Sequence, residues 1–235
     1  MSESILTVEN LRVFHDLTEV VHGVSLEIQP GAVTGILGVN GAGKTALALA
    51  LAGHLRSTGR VSFCGRAVEG WSPWARSHEG ICLVQEGRRL FHDLTVTENL
   101  GLASWRRKKS RTAIASQLAL VHDLFPVLKR KASEPVSRLS GGEQQMLAVG
   151  QGLMTFPKLL ILDEPTAGLS PKIVGEMLTA ISQLSREGYT AVCIDQSVAS
   201  IRRVAEQVVV MRLGHVVDTL PARSIDDSVV EKYLG

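Results

Sequence analysis

Lys44 and Thr45 close the run Gly38-Val39-Asn40-Gly41-Ala42-Gly43-Lys44-Thr45, whose spacing G-x-x-x-x-G-K-T is that of a loop cradling nucleotide phosphates. Glycines at 38, 41 and 43 permit the positive φ angles and close approach by which successive N–H groups turn inward onto one phosphate. A helix N-terminus directly behind the loop adds its dipole. In that arrangement Lys44 faces the β- and γ-phosphates, and the Thr45 hydroxyl is a ligand for Mg²⁺.

Two further clusters bear on the same chemistry. Asp163 and Glu164 end the apolar run 159–162, at the C-terminal end of a buried strand, where α/β sheets bind ligands. Alone, two such acids read as a turn or a cap. With a phosphate loop upstream, Asp163 is suited to hold Mg²⁺ directly or through water, and Glu164 to polarise the water that attacks the γ-phosphate. The third cluster, Leu139-Ser140-Gly141-Gly142-Glu143-Gln144-Gln145, precedes a helical run over 146–154. Ser140 and Glu143 form a capping box. Two consecutive glycines weaken a first turn unless backbone must approach something closely. This helix N-terminus reads as a second anion site, with no room at the first one's phosphate.

Stepping outward, a short buried strand over 33–37 and a helix over 46–52 that stops at Gly53 flank the phosphate loop. Alternating apolar residues from 5 to 28, broken at 15–19, predict an antiparallel hairpin, with 29–31 as the turn into the loop's strand. A strand over 60–65 and a loop containing Trp71, Pro73 and Trp74 lead to a buried strand at 81–84. The segment 87–152 turns helical, with one helix starting at Thr97 and another over 112–125. Apolar runs at 159–162, 191–194 and 208–211, separated by helices, imply a parallel sheet covered on both faces. Between the two insertion helices lies Arg106-Arg107-Lys108-Lys109-Ser110-Arg111, five charges in six residues. It reads as a solvated, mobile loop, or as a contact for anionic lipid headgroups.

Length and composition set the bounds. The 235 residues suffice for one large α/β domain, or a domain with a small subdomain. Cys64, Cys82 and Cys193 lie in apolar stretches without C-x-x-C spacing, which fits a reduced interior better than a metal site. A net charge of +2 is too near balance to argue for nucleic acid. Neither a signal peptide nor an apolar run of 18 residues is apparent. If the protein works at a membrane, a partner is expected to hold it there.

The loop GVNGAGKT, the segment LSGGEQQ and the strand LLILDEP, in that order, resemble the ATP-binding cassette (ABC) ATPases over essentially the whole chain. The resemblance implies an α/β P-loop (RecA-like) core with an N-terminal antiparallel β subdomain and a helical subdomain insertion, the core spanning 1–86 and 153–235 and the helical part 87–152. It also implies that Leu139, Ser140, Gly141, Gly142, Glu143 and Gln144 of one subunit close over the ATP held by the facing subunit. Two ATP molecules, each with Mg²⁺, are then sandwiched in a head-to-tail dimer, which accounts for the orphan anion site.

A narrower resemblance, carried by residues 84–91, Leu94-Thr95-Val96-Thr97-Glu98-Asn99-Leu100, the run 141–148 and the closing Tyr233-Leu234-Gly235, is to the ATPase subunits of branched-chain amino-acid importers. It implies a second, related ATPase subunit or a homodimer, transmembrane permease subunits, indirectly a substrate-binding protein, no nucleic acid, and a place on the cytoplasmic face of the membrane. Branched-chain or other small amino acids are the implied cargo, with urea or short amides next.

Several positions depart from the family pattern. Glu86 falls where a glutamine normally meets Mg²⁺ and water, with Gln85 beside it as the alternative. Gln196 stands at the switch position, a histidine in most relatives, and its amide can donate to the γ-phosphate. The adenine-stacking position falls at His15 by register or Phe14 by ring area. Gly150-Gln151-Gly152 replaces Gly-Arg-Ala, and Ser170 stands where an interface aspartate is usual. A soluble ATPase acting on DNA or ribosomes is disfavoured by the lack of a long coiled coil, fused cassettes or a strong basic face. A degenerate, inactive subunit is disfavoured by intact Lys44, Asp163 and Glu164.

Overall fold

The computed structural model describes residues 4–85, 87, 89–105 and 108–225. The first strands, β1 (Leu6–His15) and β2 (Thr18–Ile28), pair antiparallel from Leu6 with Ile28 to His15 with Thr18, as the alternation predicts. The phosphate loop follows β3 (Val33–Leu37) and opens α1 (Lys44–Leu51). Next come β4 (Arg56–Phe63), β5 (Arg66–Ala67), α2 (Pro73–Glu79) and β6 (Ile81–Val84). A helical stretch contains α3 (Val96–Ser104), α4 (Arg111–Leu124), α5 (Pro126–Arg130) and α6 (Gly141–Met154). The chain then runs through β7 (Leu159–Asp163), α7 (Pro171–Arg186), β8 (Thr190–Asp195), α8 (Val198–Val204), β9 (Gln207–Arg212) and β10 (His215–Pro221).

Two sheets result. One has the order β2-β1-β4-β5 and is antiparallel. The other has the order β10-β9-β3-β8-β7-β6, parallel except for β10. Because β3, β8, β7 and β6 run the same way, the segments that follow Leu37, Asp195, Asp163 and Val84 all emerge at one end of the sheet. That topology gathers residues more than a hundred positions apart. Strand side chains alternate between two cores: Leu160 and Leu162 join the layer with α6 and α7, while Leu159 and Ile161 face α1 and the antiparallel sheet.

Some elements differ from the sequence reading. Residues 73–79 form a helix where a loop is expected, because Ser72 accepts from the Ala75 N–H and Pro73 starts the first turn; at seven residues it is too short to show a period. Arg76 on this helix is buried and donates to the carbonyls of Ala50, Leu51 and Val68, so its guanidinium satisfies the open end of α1. Helix α6 begins at Gly141, directly after its Ser140 cap, and so takes in residues 141–145 ahead of the run 146–154.

The unusual glycines of α6 are explained by packing. A Cβ on Gly150 would lie 3.0 Å from Val121 and 3.2 Å from Leu100, on the side of the helical stretch. A Cβ on Gly152 would lie 2.7 Å from Val84 and 3.1 Å from Leu160, on the side of the sheet. Helix α6 is therefore pinched between two layers. Between these glycines, the Gln151 amide donates to the carbonyl and side-chain oxygens of buried Asn99, which in turn ties Phe91, Leu94 and Thr95 to α3.

Gly152→Ala is expected to destabilise by about 1–3 kcal/mol through overpacking, despite its better helix propensity. Gly175→Ala on α7, where the nearest atom to a new Cβ is 4.0 Å away, should be neutral or stabilising. Paired thermal melts check this, at about 2–4 °C per kcal/mol for a domain of this size. Equal melting temperatures for the two variants would contradict the packing account.

Candidate functional site

The phosphate loop owes its shape to its glycines. Gly41 and Gly43 have φ of 79° and 93°, and a Cβ on Gly43 would stand 2.8 Å from the Val20 carbonyl. At Gly38 a Cβ would stand 2.5 Å from the Met211 carbonyl. The loop is thus wedged between β2 and the end of β9. The Gly214 N–H donates to Ala42 and the His22 N–H to Gly214, tying the three segments together.

Lys44 is the first residue of α1 and is only 4% exposed. Its Nζ donates to the Gly38 carbonyl at 2.8 Å and the Val39 carbonyl at 3.1 Å. Glu164 Oε1 stands 3.8 Å from the ammonium. Thr45 Oγ1 donates to Asp163 Oδ1 at 3.3 Å, joining the loop to the tip of β7. Two hard oxygens side by side beside a phosphate loop fit Mg²⁺, which takes few protein ligands and completes its shell with phosphate and water. Among the described residues no cluster of three His, Cys, Asp or Glu could hold a metal by itself.

Glu164 adopts φ of 47° immediately before Pro165, a sparsely populated conformation for a residue with a side chain. Its N–H donates to the Ile194 carbonyl, so β8 holds the strained turn. From this turn the carboxylate reaches within 3.8 Å of Lys44 Nζ. A cavity of about 290 Å³ is lined by the loop residues 40–46, Val20, His15 and Glu164. His15 therefore stands on the cavity wall. Phe14, which precedes it on β1, is not among the lining residues, and its ring lies 5.5 Å from the Arg56 guanidinium.

Gln196 is exposed at the end of β8. Its neighbour Asp195 is buried and accepts from the Thr166 hydroxyl at 2.6 Å and the Ser197 N–H at 2.8 Å. This carboxylate links the turn after Glu164 to the segment carrying Gln196. Sequence reasoning passed over the link, and its only signal is a Thr and an Asp at the two strand tips. Gln85 lines a different cavity, of about 350 Å³, together with Arg89, Phe91, Leu102, Gln151 and Thr155. Glu86 lies outside the described residues, as does the closing Tyr233-Leu234-Gly235.

The segment 139–145 is built as its capping box predicts. The Glu143 carboxylate accepts from the Ser140 N–H at 2.8 Å, and Ser140 Oγ accepts from the Glu143 N–H at 3.3 Å. The Gln144 amide donates to the carbonyls of Val136 and Leu139. Gly142 has a reason within the chain: its Cβ would stand 2.7 Å from Ile173 of α7. Ser140 and Gly141 are exposed, and neither lines the phosphate-loop cavity of its own chain.

Comparison with known proteins bears on the family and the fold. The family model described as ABC transporter matches residues 21–167. The high-affinity branched-chain amino acid transport ATP-binding protein BraG of Pseudomonas aeruginosa is 35% identical, over 98% of this chain and 100% of its own. The glutamate transport ATP-binding protein GluA of Corynebacterium glutamicum is 32% identical, over 88% and 86% respectively. A crystal structure of an ATP-binding cassette of an ABC transporter in its ADP conformation superposes with a TM-score of 0.86 and 25% identity, covering 100% of both chains.

The cap of α6 makes stability pH-dependent. Burial works to raise the pKa of Glu143, but hydrogen bonds from Lys131, at 2.9 Å, and from Ser140 outweigh it and hold the carboxyl below its ordinary value. A depressed folded-state value contributes stability that is complete above the unfolded value, about 4.3, and is lost as pH falls through the folded one. Glu143→Gln should cost about 1–2 kcal/mol at neutral pH. The gap in melting temperature to the unsubstituted chain is expected to close as the pH drops below about 4. A gap that stays constant into acid would contradict the assignment.

Proposed function

Because the chain belongs to the ABC transporter family, whose ATP-binding domains are ATPases, we propose that it is the ATP-hydrolysing subunit of a membrane importer for branched-chain or other small amino acids. The observation that carries the site assignment is the convergence of Lys44, Thr45 and Glu164 on one cavity, with Asp163, 118 residues from Thr45 in the chain, accepting from the Thr45 hydroxyl. The cargo reading draws on BraG and GluA, both named for amino-acid transport, although the ribose import ATP-binding protein RbsA of Bacillus subtilis is also 30% identical, over 92% of this chain and 45% of its own. Urea or short amides are the next reading.

In this proposal the loop N–H groups of 38–45 and Lys44 bind the β- and γ-phosphates, and His15 lies against the adenine. Thr45 and Asp163 would hold Mg²⁺, and the family resemblance assigns a further contact with the metal and water to Glu86 or Gln85. When bound, the metal neutralises charge on the β- and γ-phosphate oxygens. Glu164 accepts a proton from the attacking water, and the amide of Gln196 donates to the γ-phosphate. The exposed N-terminus of α6, with Leu139 to Gln144, completes the site of a facing ATPase subunit, whether a related chain or a second copy. Binding closes the pair and hydrolysis reopens it.

The helical part, 87–152, packs against the core through α6. The groove between them, lined by Gln85, Arg89, Phe91 and Leu102, receives a cytoplasmic segment of the permease. Phe91 and Leu102 are exposed there. Among the described residues no helix is long and apolar enough to cross a membrane, so such a partner supplies the anchorage, on the cytoplasmic face.

Glu164→Gln keeps size and hydrogen bonding but removes basicity. In the full assembly with ATP and magnesium, phosphate release should fall at least about a hundredfold. ATP should still bind and the two ATPase subunits should still approach. Hydrolysis at the normal rate would remove Glu164 from the role of base, and binding without closure would undermine the shared site.

A further inference from the structure

Thr155 lines the permease groove on one side and, on the other, a second cavity of about 440 Å³. Lys108, Lys109 and Lys158 converge on that second cavity. Lys158 is set in place by Gly80: a Cβ there would stand 2.9 Å from Lys158 Cγ, and the Gly80 carbonyl accepts from the Lys158 and Leu159 N–H groups. Lys109 Nζ lies 5.4 Å from the centroid of the Phe156 ring, a contact that leaves its charge intact. The one carboxylate on the wall, Glu79, is engaged by Arg66 at 3.0 Å. Among the described residues, none of the three lysines is paired with a carboxylate.

Three gathered, uncompensated cations repel one another, so the cluster calls for an anion from outside. Two exposed tryptophans accompany it. Trp74, 64% exposed, stacks on His78 of the cavity wall, and Trp105, 80% exposed, ends α3 just before the basic run. Basic side chains flanked by exposed indoles suit the headgroup layer of a membrane. A cytoplasmic permease loop fits less well, because such loops carry excess Lys and Arg, the same sign as the cluster.

We propose that the Lys108–Lys109–Lys158 cavity docks anionic phospholipid headgroups and so orients the subunit beside its permease. The proposal rests on reading the adjoining groove as the face turned to the membrane subunit. Its test is independent of ATP hydrolysis and of the permease.

The purified full chain is sedimented with vesicles of phosphatidylcholine alone, or of phosphatidylcholine mixed with phosphatidylglycerol. Binding is expected only to the mixed vesicles, and it should weaken with salt. Each lysine near an anionic surface contributes about fivefold in affinity, so the triple variant Lys108→Gln, Lys109→Gln, Lys158→Gln should bind about a hundredfold more weakly, with unchanged ATP binding and melting temperature. A charge-matched triple elsewhere, Lys129→Gln, Lys172→Gln, Arg202→Gln, should bind nearly as the unsubstituted chain does. Equal loss in both triples, or equal binding to neutral vesicles, would overturn the proposal. Displacement of the chain from vesicles by millimolar glycerol phosphate, but not by matched sodium chloride, would reassign the cavity to a soluble phosphate. A cavity triple that binds vesicles normally yet fails to assemble with the permease would reassign it to the permease.

Discussion

A buried ammonium that its own chain only partly compensates is the constraint on which this structure depends. Lys44 is 4% exposed, holds two loop carbonyls, and has the Glu164 carboxylate 3.8 Å away. Burying a charge is costly unless polar partners surround it, and dipoles alone replace the lost water incompletely. The loop's glycines, the wedge of Val20 and Met211 carbonyls behind it and the first turn of α1 together hold the ammonium in place. A cation fixed in this way would, in the proposed function, meet a polyphosphate without reordering.

The remaining architecture transmits that arrangement. Parallel strands bring Asp163, Asp195 and the phosphate loop to one end of the sheet, and the buried Asp195 carboxylate joins the turn after Glu164 to the segment of Gln196. Helix α6 carries the Ser140 terminus at one end and is gripped at its other end by contacts that only glycines at 150 and 152 allow. Tyr189, at the start of β8, donates to Gln117 of α4, which donates to the Leu153 carbonyl of α6. The helical stretch and the opposite end of the sheet, where β8 begins, thus share a chain of direct contacts.

Much of this is legible in the residues themselves. The spacing of Gly38, Gly43, Lys44 and Thr45 announces the loop, and Ser140 with Glu143 announces the start of α6, because each depends on neighbours within a few positions. What stays hidden depends on distant partners. Gly150 and Gly152 look like defects in a helix until Val121, Leu100, Val84 and Leu160 are seen against them. Phe14 and His15 are equivalent in sequence, and only the strand's facing separates the residue on the cavity wall from the one beside Arg56. The short helix α2 has too few residues for a period, although Ser72 and Pro73 mark its start. The tie between Thr166 and Asp195 spans two strand tips that no local pattern connects.

The most direct measurement is calorimetric titration of ATP with magnesium into the purified chain and into Lys44→Met, which keeps most of the side chain's bulk while removing its charge. With the fold intact by circular dichroism, loss of the charge-assisted contacts, about 1.5–3 kcal/mol, should weaken ATP binding roughly tenfold to a hundredfold or more. Unchanged ATP affinity in a folded Lys44→Met protein would contradict the account.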